Sequence, residues 1–192
     1  MNLPRTVNIP NAITIVRILL VPALVCLLLH GAFGWAIWIF LAAGLSDALD
    51  GFIAKRFSLT TRLGAILDPL ADKLLVAASV IVLAGLGFMP WWLALTAVSR
   101  DVVIIGGAIA FHVRCGRVEM APSVLSKVNT FIQLLLIFLV LGHADRLVRA
   151  ERWLPVLFVL AFLTTVVSGV QYVVVWGRKA GALPPRRQNV IL

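Results

Sequence analysis

Charge is scarce in this chain. Asp, Glu, Lys and Arg make up 13% of its 192 residues and hydrophobic residues 61%, whereas a soluble domain has about 25% charged and about 45–50% apolar residues. With a mean hydropathy of +1.04, this composition excludes a water-soluble globule and points to an all-α integral membrane protein. Cysteine is nearly absent. Cys26 lies in an apolar run and Cys115 in a basic loop, which argues against a disulfide and marks neither as catalytic. There is no zinc-type Cys/His spacing, and His112 and His143 read as solvated residues near loops. A fixed-period repeat and a low-complexity tract are both missing. So is a basic groove interleaved with aromatics, and nucleic acid is therefore not read as a partner. The formal charge of +9 gathers at the ends of apolar segments instead, where anionic membrane lipid and the positive-inside rule explain it.

A membrane-spanning helix needs about 20 apolar residues. Six segments meet that length: Asn11–Leu29, Phe33–Arg56, Leu63–Leu86, Trp91–Val113, Ser123–Leu141 and Trp153–Trp176. Arg5 followed by the apolar stretch Ile18–Leu29 imitates a secretory signal peptide. The poor cleavage region Gly31-Ala32-Phe33-Gly34 and the further spans favour a retained first helix. Arg5, Lys55, Arg56, Arg62, Arg114, Arg117, Lys127, Arg178, Lys179, Arg186 and Arg187 fall on one side of this topology, and Arg146, Arg149 and Arg152 on the other. That bias predicts both termini and the connection between the second and third helices in the cytoplasm of a bacterial inner-membrane protein. Residues 1–182 read as one membrane domain, and 183–192 as a disordered basic tail at the lipid headgroups. Trp35, Trp38, Trp91, Trp92, Trp153 and Trp176 sit near span ends, as interfacial anchors do. Pro22 lies in mid-span and Pro155 in a first turn, both tolerated there. Gly106-Gly107 is a candidate helix-packing or homodimer contact.

Against this background four aspartates stand out. Asp47 and Asp50 are spaced i,i+3, and Asp68 and Asp72 i,i+4, so on helices each pair shares a face. They flank a predicted turn at Ser58-Leu59-Thr60-Thr61. In an antiparallel hairpin Asp47 pairs in depth with Asp72, and Asp50 with Asp68, about 9 to 12 residues or roughly 14–19 Å from the turn. A carboxylate at a helix centre costs about 2.5–3.5 kcal/mol on insertion scales, and four together in a low dielectric need cations between them. Oxygen-only ligands suit hard divalent ions such as Mg²⁺, Mn²⁺ or Ca²⁺. Two other readings compete: neutralisation by Lys55, Arg56 and Lys73 as ion pairs, and a cation-coupled transporter. A relay spreads its ionisable groups along a path, however, and these gather at one level. Gly51, Ala54 and Gly64 keep the surroundings small, leaving room for close helix approach or for a bulky flat ligand.

The pattern Asp47-x2-Asp50-Gly51-x2-Ala54-Lys55-x8-Gly64-x3-Asp68-x3-Asp72 resembles the signature of the CDP-alcohol phosphatidyltransferases, with every spacing matched. Lys55 departs from it, since the family usually has Arg there; the charge is kept and the bidentate fork lost. Asn8-Ile9-Pro10-Asn11, Thr14 and Arg17 are similar to the start of many members. The resemblance implies six transmembrane helices with a catalytic hairpin of helices two and three. It implies two ions, Mg²⁺ or Mn²⁺, held by Asp47, Asp50, Asp68 and Asp72, with Asp72 also the general base. Gly51, Lys55, Thr61 and Gly64 match positions that contact the cytidine diphosphate of CDP-diacylglycerol, and Pro10, Asn11, Ala12 and Ile13 would close over the nucleotide.

The acceptor is less sharply written. Ser99-Arg100-Asp101 opens a polar patch in helix four, and Ser126-Lys127-Val128-Asn129-Thr130 with Gln133 one in helix five. Arg100, Asp101, Lys127 and Asn129 are the acceptor candidates, an interhelical ion pair of Arg100 and Asp101 being the bland alternative. Members that use glycerol-3-phosphate often carry further cations where this chain has Ala108 and Asn129. The strings here, with Tyr172 and Gly177-Arg178-Lys179, look more like the cardiolipin-forming branch, whose acceptor is phosphatidylglycerol. The expectation is a glycerol-type acceptor, phosphatidylglycerol ahead of glycerol-3-phosphate.

Overall fold

The computed structural model describes residues 9–57, 64–115 and 124–182. They form six helices: α1 (Ile9–Leu29), α2 (Phe33–Phe57), α3 (Gly64–Gly85), α4 (Trp91–Cys115), α5 (Val124–Ala144) and α6 (Leu154–Ala182). The shortest has 21 residues and the longest 29, about 32 and 44 Å of helix. Sequence and structure agree closely on the starts. The chief difference is at the end of α6, which runs past Trp176 through Gly177-Arg178-Lys179 to Ala182. Hydropathy falls at Gly177, but nothing in that stretch stops a helix: Gly177 and Gly181 are tolerated, and proline comes only at 184. Residues 183–192 and the turn at 58–61 lie outside the described residues.

Two connections turn on glycine. Gly31 has φ +72°, and the Ala32 N–H reaches back to the Leu27 carbonyl at 2.9 Å. Gly87 has φ +82°, and the Phe88 N–H reaches Leu83 at 3.0 Å. In both, a left-handed residue after the helix lets the next amide satisfy an orphan carbonyl of the last turn. Between α5 and α6 the left-handed position falls on Arg146, with φ +62°. Pro10 sits in the first turn of α1 and Pro155 in that of α6, where no helical hydrogen bond is lost. Pro22 lies inside α1.

α1 packs along both α2 and α3, α4 along α3 and α6, and α5 along α2 and α6, whereas α2 and α3 touch only sparingly among the described residues. α1 thus lies against both arms of the expected α2–α3 hairpin, whose connection falls outside the described residues. The core has two tiers. Toward the end bearing the α1–α2, α3–α4 and α5–α6 connections, Leu24, Leu28, Phe40, Leu83, Ile137 and Leu141 form a buried apolar plug. Farther along the helices, toward the end where α2 finishes and α3 begins, the buried residues turn polar: Arg17, Arg100, Asp101, Asn129, Gln133, Thr165 and Ser168.

The outward surface is apolar, with Leu19, Leu95, Phe131, Leu163 and Val170 among many exposed large side chains. Polar inside and apolar outside is the arrangement a bilayer selects. Among the described residues, Val124–Ala144 and Leu154–Val175 are long and apolar enough to cross a membrane, each with hydropathy 2.1. In α2, α3 and α4, charged residues interrupt the apolar sequence. Trp35, Trp38, Trp91, Trp92 and Trp153 are exposed and all lie at the plugged end, where aromatic anchors meet an interface.

Candidate active site

α2 is helical through Phe57 and α3 from Gly64, so the spacing of each aspartate pair is realised on a helix. Asp47 and Asp50 precede the end of α2 by ten and seven residues, about 15 and 11 Å along the axis. Asp68 and Asp72 follow the start of α3 by four and eight residues, about 6 and 12 Å. Both pairs thus occupy the same end of the bundle, away from the apolar plug. The side chains of Asp47, Asp50 and Asp68 lie outside the described residues; Asp72 is half-buried and engaged in contacts. The donor set these helices carry is carboxylate alone, which fits Mg²⁺ or Mn²⁺ and not a soft metal.

Of the expected nucleotide contacts, Gly51 and Lys55 fall on α2, Gly64 opens α3, and Pro10, Asn11, Ala12 and Ile13 make the first turns of α1. The N-terminal segment is thus helical and part of the element that packs against both α2 and α3. The side chains of these residues, and Thr61 altogether, are outside the described residues. Arg17, one turn further along α1, is 1% exposed and makes polar or charged contacts. A buried guanidinium is held in place only by partners that offset its desolvation.

The acceptor candidates separate. Arg100 and Asp101 are buried, and Arg100 Nη1 donates to Asp101 Oδ1 at 2.7 Å. Arg100 Nη2 donates to Ser126 Oγ on α5 at 2.6 Å and to Ser168 Oγ on α6 at 2.8 Å. The partner of Asp101 across helices is Lys73 on α3, at 3.1 Å. Asn129 is fully buried and Lys127 exposed on the same helix, so these two do not face one site. Beside Asn129, Thr165 Oγ1 lies 2.9 Å from Asn129 Oδ1 and 2.6 Å from the Ala161 carbonyl, and accepts from Gln133 Nε2 at 3.2 Å. The single hydroxyl proton can go to only one of its two acceptors, Asn129 Oδ1 or the Ala161 carbonyl. Asn129 Nδ2 and Gln133 Oε1 are left without a partner among the described residues, spare hydrogen-bonding capacity inside the bundle. A groove of about 330 Å³ between α4 and α6 is lined by Thr96, Ser99, Arg100, Thr165, Gly169 and Val170.

Thr165 and Ser168 carry much of this network and were not singled out from sequence. A hydroxyl in an apolar helix usually bonds its own backbone, as Thr164 and Ser79 do here, and only the tertiary fold shows which ones reach across.

Comparison with known proteins fits this geometry. A family model described as CDP-alcohol phosphatidyltransferase matches residues 7–176. A Pectobacterium atrosepticum protein named CDP-diacylglycerol–glycerol-3-phosphate 3-phosphatidyltransferase is 35% identical over 165 residues, 82% of this chain and 88% of its own length. The Rattus norvegicus cardiolipin synthase (CMP-forming) is 35% identical over 188 residues, 86% of this chain and 60% of that one. A Mycobacterium tuberculosis protein with a cardiolipin synthase name is 39% identical over 103 residues, 53% of this chain. The match spans about half the length of that mycobacterial relative, 49%. With a family model covering nearly the whole helical bundle and relatives aligned along most of its length, the chain belongs to the CDP-alcohol phosphatidyltransferase family.

Proposed function

We propose that the protein transfers a phosphatidyl group from CDP-diacylglycerol to a glycerol-type alcohol, releasing CMP, and that all six helices span a bacterial inner membrane with the acidic end toward the cytoplasm. The observation that carries this reading is the family match over 7–176 together with four aspartates on α2 and α3 at one end of the bundle. Asp47, Asp50, Asp68 and Asp72 are the residues that would hold two divalent ions. Bound Mg²⁺ or Mn²⁺ supplies neutralisation of a diphosphate and Lewis-acid polarisation of its phosphorus. Asp72 takes the proton from the acceptor hydroxyl. The freed oxygen forms the new bond to the phosphorus that bears diacylglycerol, and the bond from that phosphorus to the CMP oxygen breaks. Lys55 offers a cation to the diphosphate; Gly51 and Gly64 leave room for the cytidine end; Thr61 and the Pro10–Ile13 turn of α1 complete its enclosure. No covalent intermediate is required, because positioning and charge stabilisation suffice.

Phosphatidylglycerol is the acceptor this chain suits best, which makes the reaction a CMP-forming cardiolipin synthesis. The buried groups with spare capacity are the neutral amides of Asn129 and Gln133, which suit hydroxyls. The buried cation Arg100 is already engaged by Asp101, Ser126 and Ser168, and Lys127 faces outward. A phosphate dianion would find few uncommitted cations among these groups. The second reading, glycerol-3-phosphate as acceptor, is favoured by the fuller coverage of the Pectobacterium relative. The deciding assay supplies membranes containing the protein with Mg²⁺ or Mn²⁺ and CDP-diacylglycerol, adds each acceptor in turn, and identifies the lipid formed. Cardiolipin supports the first reading and phosphatidylglycerophosphate the second. Cation flux in proteoliposomes without CMP release would point instead to a transporter.

A further inference from the structure

Lys73 follows Asp72 on α3, and its Nζ lies 3.1 Å from Asp101 Oδ1 on α4. The same oxygen accepts from Arg100 Nη1 at 2.7 Å, and Arg100 Nη2 continues to Ser126 on α5 and Ser168 on α6. One carboxylate oxygen and one guanidinium thereby join four helices. The side chains of Lys73 and Asp101 are 20% and 8% exposed, so the contact is sheltered from the screening that makes surface ion pairs weak.

The charges do not balance by need. Arg100 alone neutralises Asp101, so Asp101 does not require Lys73. What Lys73 adds is a fixed link between α3 and the clamp formed by α4, α5 and α6, one residue from Asp72. That link adds a polar anchor to the packing of α3 along α1 and α4, and it acts at the end of α3 that carries Asp72, where α2 touches α3 only sparingly among the described residues. We propose that Lys73 and Asp101 are positioning residues that hold α3, and with it Asp72, in the register needed for proton abstraction; this rests on the reading of Asp72 as the general base. A misplacement of about 1 Å at a reacting group can cost on the order of 10²-fold in rate, so a tether one residue away has leverage on turnover without touching substrate.

The test uses the full chain purified into lipid nanodiscs with CDP-diacylglycerol, divalent ion and acceptor. Lys73→Met removes the tether and leaves a neutral Arg100–Asp101 pair with its serines intact, so the thermal midpoint should hold. The expected result is a fall in kcat of roughly 10- to 100-fold with KM for CDP-diacylglycerol within about two-fold. Lys73→Arg, which still reaches Asp101, should recover most of the loss. Asp101→Asn also leaves buried Arg100 without this counter-ion, so it should fall at least as far, and the double variant Lys73→Met/Asp101→Asn no further than Asp101→Asn alone, because Lys73 acts through that carboxylate. Unchanged kcat in Lys73→Met overturns the proposal. So does a raised KM with kcat intact, which would make Lys73 a substrate-binding group, or a loss explained wholly by less folded protein. Asp72→Asn is measured alongside. Turnover surviving there removes the base assignment and this proposal with it; a dead Asp72→Asn beside a fully active Lys73→Met removes the positioning role alone.

Discussion

The ring of Tyr172 on α6 lies against Gly107 on α4: a Cβ at Gly107 would meet Tyr172 Cε1 at 3.2 Å. The ring cannot swing away freely, because its hydroxyl donates to the Ile104 carbonyl at 3.1 Å. Gly106, its neighbour, has nothing within 4 Å. The two glycines therefore differ, and Gly107 is the one that seats a contact within the chain. Gly107→Ala should be close to neutral, since a shift of a few tenths of an ångström is offset by helix propensity of about 1 kcal/mol. Gly107→Leu should wedge α4 from α6 and cost about 1–3 kcal/mol, while Gly106→Leu should not. Thermal unfolding of the three variants in detergent is the measurement, and equal effects at both glycines would contradict this packing.

Thr165 is the hub between α5 and α6. Thr165→Val keeps the shape and removes the hydroxyl that Gln133 and Asn129 share. Two buried amides then lose a partner, at a cost of about 1–3 kcal/mol per unsatisfied group in water-soluble proteins and nearer 0.6 kcal/mol per bond between membrane helices. The expected loss is about 1–2 kcal/mol, and Thr165→Ser should restore most of it. If Asn129 and Gln133 also meet the acceptor, Thr165→Val should raise KM for the acceptor and leave that for CDP-diacylglycerol alone.

How much of this was legible in the sequence depends on which physical signal wrote it. The helices were, because apolar length and the glycines at 31 and 87 mark them locally. The four aspartates were conspicuous in it because acids in an apolar run are costly, and the helices their spacing calls for are present in α2 and α3. The order of packing was not: short connections suggest that α2 and α3 are neighbours, but only tertiary contact shows α1 lying along both. The role of Lys73 was also hidden. In sequence it stands beside Asp72 and enters only the competing reading, as one of three cations that would neutralise the acids, whereas the structure pairs it with Asp101 on α4. Lys127 and Asn129, two residues apart, read as one patch but face opposite ways, because a helix turns about 200° between them.

Arg146 lies two residues past the end of α5 with φ +62° and is exposed. Its amide donates to the His143 carbonyl at 3.0 Å, a helix-terminating turn of the kind that glycine serves at the other two connections. A non-glycine residue in this region costs roughly 1–2 kcal/mol, partly offset by the greater chain entropy glycine loses on folding. Arg146→Gly should therefore stabilise the protein by about 0.5–1 kcal/mol, and Arg146→Val should destabilise it, since a β-branched side chain is worst in this conformation. A lower unfolding temperature for the glycine variant would show that the arginine side chain contributes more than its backbone costs.

The acids on α2 and α3 should divide by role when metal supply is varied. Chelation with EDTA should remove transfer activity and either Mg²⁺ or Mn²⁺ restore it, since an oxygen-only donor set accepts both. Removing one ligand of a shared site weakens metal affinity, so Asp50→Asn should need at least about ten-fold more metal for half-maximal rate and recover part of its activity when metal is raised. Asp72→Asn should not recover at any metal concentration, because an amide cannot take the acceptor's proton. Isothermal titration of Mn²⁺ in the absence of lipid substrate gives a readout separate from turnover: affinity should fall in Asp47→Asn, Asp50→Asn and Asp68→Asn. If Mn²⁺ binds each of these three variants as it binds the parent chain, the carboxylates do not share an ion and the two-metal reading of the helical end fails.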